Sequence, residues 1–471
     1  MRLMPVGLLL LFASSLPAQD KKGGGQQGGP GQFAGELKDK QGPIMRVIMN
    51  APRTNPPTRT LALLLVHHGM NGNENNYFGG TMECLKRLKL EEEFVVVAGK
   101  SKGGGWELDV DGPLTLRVIE WAKSTYPIDP RQIYIWGSSN GAGYIGRFGW
   151  AHQDIVAAAV GYCGGYNFGK VEGKPGDGKT EWYFVHGGND NPQNSYNGCK
   201  QLAAMGYRYV FRQLDGYGHT DIWDGQGHPD MTVVNEVRDD YIRWLRALRH
   251  KEVEPEKKDK EFLAKFEKSP ESHLSSKQTY LVLQRIGGLQ AGAVILQGLE
   301  SKTAGTRAAS AEACETASFG KAVCEALAKG ASDESDRVQQ NAIRALGSYS
   351  VWHYPEAIEA LCQIASTKGD SKSGPTLADR LLAVDGLART VKLAMLGNFE
   401  DKKAWETLIN LLDDDEIRLR NAAFLAIAKA SKDPMGYKSD LSGQARKDAV
   451  AKWHAWLGTK VAAFEKPTAA K

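Results

Sequence analysis

Between residues 40 and 250 the chain alternates short runs of β-branched, aliphatic or aromatic residues with longer stretches whose apolar positions recur at helical spacing. The runs 46–49, 61–66, 94–98, 132–136, 155–160, 182–186 and 207–214 have the length and composition of strands. Stretches 79–89, 113–125, 140–152 and 194–205 read as helices between them, and a last helix near 231–249 closes the region. Strands alternating with helices predict an α/β fold, a mostly parallel sheet with helices on both faces, because a parallel neighbour needs a crossover long enough to hold a helix. Ligands of such sheets bind at the carboxyl ends of the strands.

Beyond residue 250 the strand pattern stops. The charged run KEVEPEKKDKEF predicts a linker over 251–272 or the start of an exposed helix, and 273–471 shows only helical spacing, an all-α domain. Segments 341–346, 382–387 and 422–427 recur about 40 residues apart with a small-then-large apolar pattern, each preceded by acidic residues and an arginine. This half resembles HEAT-like repeats, stacked helix pairs with an extended surface, and implies a protein partner for the helical domain; an irregular helical bundle is the alternative. A last helix, 446–457, places Trp453 and Trp456 on one face as a cap. At the other end, Arg2, the apolar run Val6 to Ala13 and Leu16-Pro17-Ala18 read as a signal peptide over 1–18, too short to span a bilayer. Export, to the periplasm or the medium, is therefore expected. The glycine- and glutamine-rich stretch that follows predicts a flexible leader over 19–39.

Composition changes this picture little. A net charge of +4 on 471 residues, without a basic block, gives no reason to expect nucleic acid as a partner. Six cysteines without a CxxC spacing indicate neither a zinc site nor a disulfide-built fold. Cys163 and Cys199 either pair or remain buried thiols. No HExxH spacing and no phosphate-binding loop is present, so neither a metal nor a cofactor is expected, and no later run is long and apolar enough for a membrane span.

The chemistry is concentrated at strand ends. Gly137-Ser138-Ser139-Asn140-Gly141 follows the strand 132–136 and precedes a helix, the context in which a glycine-flanked turn lifts a serine clear of the sheet as a nucleophile. A serine hydroxyl needs a base, a group to orient that base, and donors for the developing oxyanion. Of ten histidines, His219 sits in a glycine-containing loop after the last strand, where the base should be; His228, in a nearby loop, is the other candidate. His67, His68 and His186 end strands and read as structural residues. The orienting acid should lie between nucleophile and base, and Asp190, beyond the strand 182–186 and a glycine turn, meets that requirement. Asp221 and Asp224 are the alternatives, poorly placed because they follow His219 so closely. The backbone N–H groups of Asn140 and of Met70, in the loop after the first buried strand, are the expected oxyanion donors.

Residues 40–250 resemble an α/β-hydrolase of the branch containing extracellular polyhydroxybutyrate depolymerases and feruloyl or acetyl-xylan esterases. The resemblance is carried by His68-Gly69, Gly104-Gly105-Trp106 with Asp111, Asp129-Pro130-Arg131-Gln132-Ile133-Tyr134, the Gly137–Gly141 turn, His186-Gly187-Gly188-Asn189-Asp190 and Gly218-His219. It implies a nucleophile Ser139, an acid Asp190, a base His219, oxyanion donors Met70 and Asn140, and an ester substrate of the feruloyl, acetyl or polyhydroxyalkanoate kind, polysaccharide-linked in some of these cases. The chain departs from the family at Ala142, where glycine is frequent, in the asparagine-rich loop 70–77, and in its helical half. An exopeptidase of the same fold is the alternative enzyme, and a catalytically silent hydrolase-like domain on a helical binding scaffold the alternative of another class. Tyr77, Phe78, Trp106, Tyr166 and Trp223 are candidates either to stack on a sugar or phenolic ring or to pack the core.

Overall fold

The computed structural model describes residues 29–465 except 54–59, 167, 169–179, 221–230, 251–254, 256, 269–273, 275, 349–350, 352–353, 369–373, 392–395, 398–400 and 429–433. The expected signal peptide, most of the leader, and Asp221, Trp223, Asp224 and His228 lie outside the described residues. The strands are β1 (Gly31–Asp39), β2 (Gly42–Ala51), β3 (Leu61–His67), β4 (Phe94–Gly99), β5 (Ile128–Ser138), β6 (Ala158–Tyr162), β7 (Glu181–Gly187), β8 (Tyr209–Leu214) and β9 (Leu396–Gly397). They form one sheet in the order β1-β2-β4-β3-β5-β6-β7-β8-β9. Pairing from β4 through β3 to β8 is parallel, and β1, β2 and β9 are antiparallel additions at the edges. This is the mostly parallel α/β sheet expected from the alternation of strands and helices, in the α/β-hydrolase arrangement that the motif resemblance implied.

The helices α1 (Phe78–Leu88), α2 (Leu108–Thr125), α3 (Asn140–Ala151), α4 (Pro192–Ala204) and α5 (Met231–Ala247) cover the sheet. Every residue of β3, β4 and β7 is buried, which is why these strands read as unbroken apolar runs. Alternate residues serve opposite faces. Leu63, Leu65, Val97, Ile133 and Ile135 pack with Ile119 of α2 and with Ile145 and Phe148 of α3, whereas Leu64, Val66, Val96, Tyr134 and Trp136 pack with Leu85 of α1 and with Val237 and Tyr241 of α5.

Two expectations are corrected. Gly31–Asp39, placed by composition in the leader, is strand β1: Phe33, Gly35 and Leu37 alternate with exposed Gln32, Ala34, Glu36 and Lys38, and the edge position demands few apolar residues. The charged stretch, read as a linker or the start of an exposed helix, is not a linker throughout: it contains a helix, Lys257–Lys268. It docks through Phe266, 2% exposed, and through Asp259, whose buried carboxylate receives Arg285.

The three recurring segments lie on the helices Asp336–Leu346, Leu377–Val391 and Ile417–Ile427, which pack in succession. Their small residues permit close approach: a Cβ added at Gly347 would lie 2.7 Å from Gly386 Cα. The last helix, Gly443–Glu465, closes the stack, with Trp453 buried and Trp456 5.6 Å from Trp405, ring to ring. The two halves share one apolar core on the α2/α3 face and one sheet, since β9 belongs to the helical half. No described helix is long and apolar enough to cross a membrane.

Candidate active site

At the carboxyl end of β5 the chain turns sharply into α3, and Ser139 occupies the turn with φ 54° and ψ −116°, a conformation that L-residues rarely adopt. The flanking glycines are required by contact. A Cβ at Gly137 would lie 2.4 Å from Gly141 O, and one at Gly141 would lie 2.4 Å from His68 O. The elbow thus forms only because strand, helix and the loop after β3 meet with no side chain between them. Ser139 N–H donates to Tyr162 O on the neighbouring strand (2.8 Å), which anchors the turn to the sheet.

The Ser139 hydroxyl donates to Nε2 of His219 at 2.9 Å, and Nδ1–H of His219 donates to Oδ2 of Asp190 at 2.7 Å. The candidates chosen from the sequence as nucleophile, base and acid are therefore joined in one hydrogen-bonded chain. They arrive on three loops, after β5, β7 and β8. The acid and base loops are also bound to each other: Gly188 N–H donates to Leu214 O (2.7 Å) and Asn189 N–H to Tyr217 O (2.9 Å). Gly187 is needed at that junction, because a Cβ there would lie 2.4 Å from Tyr217 O.

Asp190 carries a second histidine. Nε2 of His186, at the end of β7, lies 2.8 Å from the same Oδ2, and its Nδ1 lies 2.6 Å from Ser195 Oγ at the start of α4. The Ser195 hydroxyl also reaches Gly164 O at 3.0 Å. Burial alone would raise the Asp190 pKa, but the hydrogen bonds from His186 and His219 outweigh it and hold the carboxyl well below its ordinary range. A carboxylate that stays ionised is what an orienting acid needs. Reading His186 as a plain strand-end residue missed this contact; its position four residues before Asp190, across the Gly187-Gly188 turn, was the available signal.

His67 and His68 are structural, as expected. Nδ1–H of His67 donates to Trp136 O (2.9 Å), and burial lowers its pKa to about 4, so the ring is neutral. Nδ1–H of His68 donates to Gly69 O (2.6 Å), and its Nε2 accepts from Ser101 N–H (3.1 Å). That bond holds the loop 101–107 beside the elbow. Asp111, fully buried, accepts from the N–H groups of Lys102 and Glu107 (both 2.9 Å), and Trp106 N–H donates to the side-chain oxygen of Asn140 (2.6 Å). The Gly-Gly-Trp and Asp111 signals of the sequence thus form a single brace under the site.

Met70 and Asn140, the expected oxyanion donors, flank the nucleophile. Asn140 is the first residue of α3, where a backbone N–H has no partner one turn back. Gly69 abuts the elbow, since a Cβ there would lie 3.4 Å from Ser139 Cβ, and Met70 is 58% exposed at the surface beside it.

Among the aromatic candidates, Phe78, Trp106 and Tyr166 are core residues, 6%, 1% and 7% exposed. Trp106 donates Nε1–H to His68 O (3.0 Å), and Tyr166 packs against Phe184 with centroids 4.3 Å apart. Tyr77 is half-buried, its ring 5.0 Å from that of Trp136. Cys163 and Cys199 do not pair; both are buried thiols. Donor atoms of Cys163, Asp190 and His219 lie within 4.8 Å of one another, the one such group among the described residues, and two of its members are bonded to each other.

Residues 292–372 match the sequence model for HEAT repeats. Among curated proteins no match is found. Solved structures similar to this chain include the fluorophosphonate-binding serine hydrolase FphF of Staphylococcus aureus, at 15% identity over 46% of this chain and 99% of that one, TM-score 0.35. A ferulic acid esterase is similar at 14% identity over 45% and 96%, TM-score 0.38. The acetyl xylan esterase of Aspergillus awamori is similar at 18% identity over 43% and 97%, TM-score 0.32.

Proposed function

We propose that the protein is an exported serine esterase that hydrolyses carboxylic esters, of the feruloyl or acetyl-polysaccharide or polyhydroxyalkanoate kind, through an acyl-enzyme. The observation that carries this reading is the unbroken hydrogen-bonded chain from Ser139 through His219 to Asp190, with the serine on a strained elbow at the carboxyl end of the sheet. Ser139 Oγ attacks the ester carbonyl as His219 Nε2 takes its proton, and Asp190 stabilises the imidazolium and holds its orientation. The tetrahedral oxyanion sits against the N–H groups of Met70 and Asn140, each such donor contributing about 3 kcal/mol to the transition state. His219 then returns the proton to the leaving alcohol, and a water, activated in the same way, releases the acid. The ester class rests on the resemblance of the strand-end motifs to esterases of this fold, since the triad alone serves esters and amides equally.

The test is hydrolysis of p-nitrophenyl acetate, p-nitrophenyl butyrate and methyl ferulate by residues 19–471 and by a folded Ser139→Ala variant, with an aminoacyl p-nitroanilide as the amide control. Turnover of one or more esters, reduced about 10⁴-fold in the variant, is the expected result. Equal rates for the two proteins on every ester defeat the proposal, and turnover of the anilide alone moves it to an exopeptidase.

A further inference from the structure

The loop that carries His219 is held on its outer side by the helical half of the chain. It leaves β8 at Leu214, passes through Asp215, through Gly216 with φ +88°, and through fully buried Tyr217, and so reaches His219. Its inner side is zipped to the acid loop by the backbone bonds from Gly188 and Asn189. Without the helical half, the outer edge of β8 would be an open sheet edge.

Three contacts from that half fall on consecutive residues just before the loop. Arg212, fully buried, donates to Thr390 O (2.7 Å) and Arg389 O (3.2 Å), carbonyls in the last turn of the helix Leu377–Val391, while Asp240 balances its charge. Gln213 and Leu214 pair antiparallel with Gly397 and Leu396 of β9. Asp215, which accepts from Gln213 Nε2 through Oδ1 (3.3 Å), forms an ion pair through Oδ2 with Lys460 of the closing helix. At the opposite, amino end of β8 the same two halves border a cleft of about 620 Å³ lined by Tyr207, Arg208, Tyr354 and Lys403 among others, where the Arg208 guanidinium lies 3.6 Å from the centre of the Tyr354 ring.

We infer that the helical half is a brace for the catalytic base, with Lys460 and the Leu396–Gly397 strand as positioning residues that act on His219 through Asp215 and the end of β8. This rests on the esterase reading of the triad. A histidine 44% exposed at its side chain has little packing of its own to hold it, so its alignment between Ser139 and Asp190 depends on where its loop is pinned. A base displaced by even a fraction of an ångström loses rate, not substrate affinity, because the ester is bound by other groups.

The experiment compares full-length wild type, Lys460→Ala, Lys460→Glu, Asp215→Lys and the exchanged pair Asp215→Lys/Lys460→Asp. Two readouts are taken: kcat and KM on the best ester, and the rate at which a fluorophosphonate labels Ser139. Labelling reads nucleophile activation whatever the natural ester is. The single variants are expected to lower kcat and labelling about 5- to 10-fold with KM within about 2-fold, and the exchanged pair to recover most of that loss. Wild-type labelling in all folded single variants, or an exchanged pair no faster than the singles, overturns the brace while leaving the triad intact. A wild type that neither labels nor turns over overturns the esterase reading and the brace with it. Should Lys460→Glu fail to fold, Lys460→Gln keeps the comparison, since it removes the charge without reversing it.

Discussion

The two halves of the molecule use buried polar groups differently. In the α/β half they converge: Asp190 receives two histidines, one of which reaches Ser139, and Asp111, His68 and Asn140 brace the loops around that point. In the helical half they disperse, each bonding backbone carbonyls or a single carboxylate of a neighbouring helix or turn. Arg380 donates to Ala365 O and to the Asp414 carboxylate, Arg420 to the carbonyls of Asp414, Asp415 and Ser439, and Asn341 to Ala308 O. A charged residue in the repeats closes a helix end or a turn, whereas Asp190 at the sheet end belongs to a hydrogen-bonded chain that reaches Ser139. Burial of a charge is thus no sign of chemistry by itself; convergence on an exposed nucleophile is.

That contrast is open to direct attack. The largest effect is expected for Asp190→Asn, which should lower kcat by about 10⁴-fold while leaving the melting temperature near that of wild type, because the group is only partly buried and its role is to hold the His219 tautomer. Its counterpart in the repeats, Asp414→Ala, should do the reverse: stability falls by about 3 to 5 kcal/mol because Arg380 is left buried and unpaired, and kcat per folded molecule is unchanged. Chemical denaturation and steady-state kinetics on both variants measure the two effects together. A stability loss at Asp190 as large as that at Asp414, with activity retained, would erase the distinction.

Gly141→Ala belongs to neither class and sharpens the boundary between them. Its Cβ would press on His68 O and His67 O, both backbone, so the elbow must open; about 3 kcal/mol of destabilisation is expected, together with loss of Ser139 labelling. The smallest effect is a pH limb. His67 has a folded pKa of about 4, lowered by burial from an unfolded value near 6.5. The unfolded chain therefore binds the extra proton between those values, and stability falls as pH drops through that window, by about 2 kcal/mol at pH 5 from this residue. The Asp190 carboxyl, depressed in the fold, adds a loss only at lower pH, as it protonates. Denaturation of wild type and His67→Asn at pH 7 and pH 5 should show a flatter limb in the variant; parallel limbs would mean that His67 is not the source.

Much of the site was legible because each of its members ends a strand next to glycine. Ser139, Asp190 and His219 are announced by Gly137 and Gly141, by Gly187 and Gly188, and by Gly216 and Gly218; close approach of backbone requires Gly137, Gly141 and Gly187, and a φ of +88° favours Gly216. His186 was misread because a histidine at a strand end looks the same whether it caps a backbone carbonyl, as His67 does, or holds a carboxylate such as Asp190. Only the curvature of the turn across Gly187-Gly188 decides which partner it meets. Phe78, Trp106 and Tyr166, candidates for a substrate platform, are core residues because exposure depends on what packs above a position, and local sequence carries no record of that.

The sequence by itself determined the alternation of strands and helices between residues 40 and 250, the helical repeat and the three side chains that the fold joins by hydrogen bonds, because hydrophobic period and turn chemistry act over a few residues and are written locally. Tertiary structure decided the rest. A strand of two residues, Leu396–Gly397, is too short to have a period, yet it finishes the sheet because β8 offered it an unpaired edge. Gly31–Asp39, poor in apolar residues, is a strand because β2 lay beside it. Lys460 meets Asp215 across 245 positions of chain, a contact that exists only once both halves are folded. Pairing of this kind depends on which surfaces are brought together, and that is a property of the whole fold.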